Sequence, residues 1–121
     1  MPTIPAAKLA AFSSAIFLEA GARNEDSRIV SESLVEANLV GHDSHGVMRL
    51  PFYVKWMEKG WVNTHATFKV VSEVGSFAVI DGDWGFGQVI GRKATDLAIR
   101  KAHENGSAVV TGRQCCHMGR F

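Results

Sequence analysis

Asp81-Gly82-Asp83-Trp84-Gly85-Phe86-Gly87-Gln88 is the stretch whose reading decides the fold. It follows an apolar run, Phe77 to Ile80, and precedes a segment in which Ile90, Ala94, Leu97 and Lys101 recur at helical spacing. A glycine-rich turn between a strand and a helix is where a dinucleotide-binding fold holds a pyrophosphate. Here the pattern departs from that motif. Gly91 is displaced from the third position of G-x-G-x-x-G, and Arg113 stands where the next strand would offer an acidic residue to a ribose. Such an arginine would at best suggest a phosphate contact. The favoured reading is that these glycines permit a tight turn and close packing, so the chain reads as α/β but not as a Rossmann fold.

The neighbouring segments complete that pattern. Upstream, Phe68, Val70, Ser72 and Val74 alternate with Lys69, Val71 and Glu73, and Gly75-Ser76 separates them from Phe77, which predicts a hairpin. Downstream, the helix is expected to end near Gly106, and Ser107 to Thr111 reads as another strand with His117 just beyond it. The N-terminal part is read as helices. Leu9, Phe12 and Ile16 share a face after Thr3 and Pro5, which suit a cap and first turn, with Gly21 as the stop. Asn24-Glu25-Asp26 opens a second helix with Val30, Leu34 and Ala37 on one face and Gly41 at its end. A third carries Val54 and Met57 toward Gly60, with Pro51 near its start because proline is costly deeper inside. Trp56 and Trp61 are candidates to cover the core or a partner subunit. Residues 1–60 are thus read as a helical region and 61–121 as a mixed strand and helix region of a single unit.

Composition sets further bounds. With 121 residues, 46% hydrophobic and 21% charged, the chain can bury a core, and a net charge of +1 argues against a polyanion partner. Arg92, Lys93, Arg100 and Lys101 are read as a solvated surface rather than a nucleic-acid stripe. No apolar run has membrane-spanning length and the N-terminus lacks a signal-peptide pattern, so no membrane partner and a cytoplasmic location are expected. The two cysteines are adjacent, which suits reduced packing thiols better than a disulfide or a zinc site, and no metal is expected.

Three motifs carry chemistry. Gln114-Cys115-Cys116-His117-Met118-Gly119-Arg120 presents a histidine, the side chain best suited to proton transfer near neutral pH, beyond a strand end. Gly41-His42-Asp43-Ser44-His45-Gly46-Val47-Met48-Arg49-Leu50-Pro51 holds Ser44 beside His45. Adjacency does not make a hydrolytic dyad, because neighbouring side chains usually diverge, and Ser44 read alone is a helix cap. His42, His65 and His103 read as hydrogen-bonding surface or core residues.

Together with Asp81 to Gln88, these motifs resemble the malate/L-lactate dehydrogenase family, the sulfolactate dehydrogenase-like, non-Rossmann NAD(P)-dependent oxidoreductases, in the family's order. The resemblance implies an oxidoreductase that moves hydride between NAD or NADP and a small 2-hydroxy or 2-oxo acid of the malate or lactate type. It implies His117 as acid/base with Ser44 and His45 in the catalytic site, Arg49 and His45 binding the substrate, and a homodimer. Gln114 and Cys115 stand where many relatives carry Asn and Ser. The family continues well past this point, so the chain is expected to be an N-terminal portion whose cofactor-binding residues lie mostly beyond Phe121, and to show no turnover alone. The alternative expectation is an inactive truncated remnant that serves only as an oligomerisation or binding module.

Overall fold

In the computed structural model, which describes residues 2–121, the chain folds as helices α1 (Ala6–Glu19), α2 (Asn24–Leu39) and α3 (Leu50–Glu58), then strands β1 (Lys69–Val74) and β2 (Phe77–Gly85), helix α4 (Gly87–Asn105) and strand β3 (Val109–Cys115). Two short 3-10 turns, Asp43–His45 and Val47–Arg49, lead into α3. Among the described residues, no helix is long and apolar enough to cross a membrane.

Helix α1 packs through a face offset from the one expected. Ser13 and Phe17 are the buried positions of α1, with Leu9 and Ile16 half-buried, whereas Phe12 is 65% exposed. Phe17 gains more inside because its ring meets Tyr53 at 6.2 Å and the edge of Phe86 at 6.0 Å. Thr3 provides no cap; α1 begins directly after Pro5, whose φ of −56° already suits a helix. In α2, Asn24 is the first helical residue rather than the cap, and Glu25 and Asp26 lie at the positive end of the helix dipole. Ser27 Oγ donates to the Arg23 carbonyl at 2.8 Å. Val30, Leu34 and Ala37 are buried as their spacing requires. The helix closes where Gly41, at φ +76°, turns the chain so that the His42 amide reaches the Ala37 carbonyl at 2.8 Å. Pro51 sits in the first turn of α3, where its missing N–H costs nothing.

The sheet has the order β1-β2-β3, with β1 antiparallel and β3 parallel to β2. Helix α4 makes the crossover, as a parallel pair demands. Ala78 and Ile80 of β2 meet Ile90 and Leu97 of α4 in a small core beside the larger helical one. Every residue of β1 is exposed, so its alternation marks no buried face; it is an edge strand. Both β2 and β3 run past their expected ends, Ile80 and Thr111. The β2 extension is a bulge, with the register shifted between Asp81 and Gly85 and left-handed φ at Asp83 (51°) and Trp84 (58°). Side chains hold it. The Asp83 amide donates to Asp81 Oδ1 at 2.8 Å, and the Asp83 carboxylate accepts from Asn63 Nδ2 at 3.1 Å and the Thr67 amide at 3.0 Å.

Lys101 leaves the solvated surface on which its charge seemed to place it. It is 6% exposed, and its ammonium reaches the Gly75 carbonyl at 2.9 Å and the Glu73 carboxylate at 3.3 Å, tying α4 to the hairpin turn. The glycines of the central turn act by close packing. A Cβ on Gly82 would lie 2.8 Å from Cys115 Sγ, one on Gly87 would overlap the carbonyl oxygens of Cys116 and His117, and one on Gly91 would strike Phe121 and Met118. The C-terminal loop therefore lies on a glycine track along β2 and α4, and that track fixes where His117 sits.

Candidate active site

His117, half-buried, is held through one ring nitrogen. The Gly119 amide donates to Nδ1 at 3.2 Å, which makes Nδ1 an acceptor. Tyr53 Oη lies 2.7 Å from the same nitrogen and itself accepts from Gln88 Nε2 at 2.8 Å, so the tyrosine proton points at the imidazole. The neutral ring in this arrangement carries its own proton on Nε2. The bases of this chain of donors are firm: Tyr53 belongs to the helical core and Gln88 is 4% exposed. Trp56 meets His117 edge-on at 6.4 Å between ring centroids.

The loop ahead of α3 brings the second group. Asn38 at the end of α2 pins it, donating to Asp43 Oδ1 at 2.6 Å and accepting from the Val47 amide at 2.9 Å, while its side chain fills the space a Cβ on Gly46 would need. So fixed, the loop stacks the His45 ring on His117 at 5.7 Å and against His42 at 4.3 Å. Ser44 caps nothing: its hydroxyl lies 3.0 Å from His45 Nδ1, so the two neighbouring side chains do not diverge. The 3-10 turn bends the backbone enough to let them meet. Arg49 donates from Nε to the Ser44 carbonyl at 2.7 Å, which leaves its two terminal nitrogens without a protein acceptor among the described residues.

These positions shift proton affinities. Burial first, then the Arg49 and His45 charges, hold the His117 imidazole below its ordinary pKa of 6.5. Desolvation, His42 and Arg49 do the same for His45. Burial pushes the Tyr53 phenol up against the opposing pull of Gln88 and Arg49, which keeps it a proton-bearing donor at neutral pH. Both histidines are therefore neutral at rest near pH 7.

The residues around this site are otherwise structural. Arg113 donates from Nε to Asp81 at 2.9 Å, so it pairs with a carboxylate of its neighbouring strand instead of facing a phosphate. Gln114, at φ 52°, sets the end of its side chain 3.0 Å from the same carboxylate, where an amide turned nitrogen-first donates to both oxygens. Cys115 and Cys116 are both free thiols; Cys116 Sγ donates to the carbonyls of Trp84 at 3.1 Å and Trp61 at 3.3 Å. Burial raises both thiol pKa values, as suits packing cysteines. Among the described residues no cluster of His, Cys, Asp or Glu is arranged to hold a metal. Among the described residues the His65 ring meets only the Thr64 hydroxyl, 3.0 Å from Nδ1, while its backbone amide donates to Asn63 Oδ1 at 3.0 Å.

Tyr53, Gln88 and Asn38 were not singled out by their sequence. The available signal was spacing. Tyr53, the chain's one tyrosine, follows Arg49 by four residues and Gln88 closes the glycine motif, but neither is charged or nucleophilic. Among the described residues, the glycine turn makes no dinucleotide cradle. The amino end of α4, where a pyrophosphate would sit, is filled by the Cys116 and His117 carbonyls packed on Gly87.

Comparison with known proteins bears on this arrangement. A family model described as malate/L-lactate dehydrogenase matches residues 4–121. The chain is similar to the malate dehydrogenase of Pyrococcus abyssi, 42% identical over 116 residues covering 96% of this chain and 32% of that protein. It is 38% identical over 113 residues to hydroxycarboxylate dehydrogenase B of Escherichia coli K12, covering 93% of this chain and 31% of the relative. In structure it resembles the malate dehydrogenase of Pyrococcus horikoshii OT3 with a TM-score of 0.94 at 41% identity, over 98% of this chain and 34% of the other. The chain spans about a third of the length of the relatives it matches.

Proposed function

The chain belongs to the malate/L-lactate dehydrogenase family, and on that premise we propose that residues 4–121 supply the substrate-facing part of an oxidoreductase for small 2-hydroxy and 2-oxo acids of the malate or lactate type. The observation that carries this reading is the meeting of His117, His45 and Arg49 from two distant segments, with the Arg49 terminal nitrogens unpaired. A guanidinium fork grips a carboxylate through two parallel hydrogen bonds. Arg49 is the anchor, His45 with Ser44 shapes the site, and His117 exchanges the proton on the substrate oxygen.

NAD or NADP, once bound, would supply or accept the hydride. Because the residues here offer it no cradle, the steps assigned to this chain are binding and proton transfer only. The electrostatics suit them. The Arg49 charge is one reason His117 has a low proton affinity, so a carboxylate bound at Arg49 cancels that charge and raises it. Substrate binding thereby brings the imidazole toward the protonated form that a developing alkoxide needs.

The finer features are part of the same proposal. Residues 4–121 act as one unit, helical to residue 60 and mixed beyond. Exposed Phe12, Leu39, Phe52, Trp61 and Phe77 suit a homodimer or the remaining length that the relatives have. The free thiols support a reducing, cytoplasmic location. The test is a titration of the 121-residue chain with L-malate, L-lactate, oxaloacetate and, as control, a neutral amide of similar size, followed by NMR. The acids should move the His45, Arg49 and His117 signals at millimolar concentration and the amide should not. Acids that move none of the three would overturn the assignment.

A further inference from the structure

Gln88 Oε1 is a buried carbonyl oxygen without a partner, on a side chain 4% exposed, while the other amide atom holds the hydroxyl that holds His117. With no partner on Oε1, nothing on that side of the amide holds it in a single orientation. As it stands, hydrogen bonds run from Gln88 Nε2–H to Tyr53 Oη and from Tyr53 Oη–H to His117 Nδ1. With the amide reversed, Oε1 takes the place of Nε2 and must accept. The tyrosine proton then turns to Gln88, and Tyr53 Oη accepts from a protonated His117 Nδ1.

The two directions differ in what they allow at the outward nitrogen, Nε2. In the direction seen here the neutral ring already carries its proton on Nε2 and has no lone pair there with which to take one. Giving that proton away would leave an imidazolate unless Tyr53 lost its own, and burial raises the phenol's pKa against that loss. In the reversed direction the imidazolium gives its Nε2 proton to a substrate alkoxide oxygen and is left neutral with hydrogen on Nδ1. The opposite reaction takes the alcohol proton onto the freed Nε2 lone pair. Nδ1–H is retained throughout.

We propose that Gln88 and Tyr53 are positioning residues that switch His117 between a resting tautomer and a proton-transferring one by reversal of the Gln88 amide. This rests on the reading of His117 as the acid/base, but it is a statement about ring tautomers and is tested without turnover. Gly119 takes part, since its amide at 3.2 Å favours an unprotonated Nδ1 and so the resting state. The remaining groups that act on the ring, His45, Trp56 and the Arg49 guanidinium, offer Nδ1 no hydrogen bond among the described residues.

Ring nitrogen-15 spectra of His117 in the 121-residue chain decide it. The wild-type neutral ring should show Nε2 protonated. Gln88→Glu, whose carboxylate can only accept, should move the proton to Nδ1 and raise the His117 pKa by about one unit. A charge acting merely through space would raise the pKa and leave the proton on Nε2. Gln88→Met, close in shape, removes both orientations and should give a mixture of the two tautomers. A wild-type ring with Nδ1 protonated, or a tautomer unmoved in both variants, overturns the switch. If the tautomer follows Gln88 but 2-hydroxy acids leave His45 and Arg49 unmoved, the switch stands and the functional reading fails. If the acids bind and the tautomer ignores Gln88, the opposite holds.

Discussion

Two histidines stack 5.7 Å apart in this molecule, and they are held in opposite ways. His117 is gripped from behind by Tyr53, which is anchored in the helical core and backed by buried Gln88. His45 is gripped from beside, by the hydroxyl of its own neighbour Ser44 on a solvent-facing 3-10 turn. A buried hydrogen-bond chain can fix a tautomer against water, whereas an exposed contact exchanges freely with solvent. This difference supports the proposed division in which His117 transfers the proton and His45 makes an adaptable contact, although the two residues are of one type in the sequence.

The sharpest way to break this contrast is to remove each ring. In a chimera that places residues 4–121 in the matching segment of the Pyrococcus horikoshii malate dehydrogenase, His117→Ala should lower turnover by about 10²- to 10⁴-fold. His45→Ala should cost about tenfold and fall largely on KM. Equal losses measured by steady-state kinetics would erase the distinction. Next in size is the seat of the His117 loop. Gly87→Ala puts a methyl group against the Cys116 and His117 carbonyls, and should lower stability by about 1–3 kcal/mol in a denaturant titration while displacing the His117 signals more than those of His45. A variant of unchanged stability would show that the glycine track does not position the loop.

A smaller effect concerns the anchor. Arg49→Lys keeps the charge but loses the planar fork, so the affinity for a 2-hydroxy acid should fall about tenfold, read by NMR titration, with the ring contacts of both histidines preserved. Smallest is the pH dependence of stability. His117 binds its proton less readily in the folded chain than in the unfolded one. Above the ordinary pKa of 6.5 neither state is protonated and the group contributes nothing. As pH falls below 6.5 the unfolded chain gains a proton that the folded chain refuses, so stability drops until the lowered native pKa is passed. Urea titrations across that window should show the drop in the wild type and less of it in His117→Gln.

How much of this was legible depended on what each residue does with its neighbours. The crossover of strand, helix and strand followed from apolar period, and the dinucleotide reading of the turn was rejected on glycine spacing that the structure explains, because Gly82, Gly87 and Gly91 carry the C-terminal loop. The buried face of α1 was misplaced because Phe12 and Phe17 are the same residue type on different faces, and only the fold shows that Phe17 is the one that meets Tyr53 and Phe86. The β2 extension was hidden because a charged bulge, Asp81 to Asp83, breaks the alternation that marks a strand. His117 stood out by chemistry and Ser44, His45 and Arg49 by the resemblance of their motif, and the fold brings all four to one place. Tyr53 and Gln88 did not, since nothing local reveals that a core tyrosine reaches a histidine 64 residues away.

The most direct test of the account is a paired NMR pH titration of His117 and His45, with and without L-malate, in the wild-type chain and in Arg49→Gln. Both rings should titrate below 6.5 without ligand. Malate should raise the His117 value more than that of His45, and Arg49→Gln should raise His117 without ligand and remove the response to malate. A His117 that titrates at or above 6.5 in the wild type, unmoved by malate, would contradict the coupling of carboxylate anchor to acid/base on which the proposed function stands.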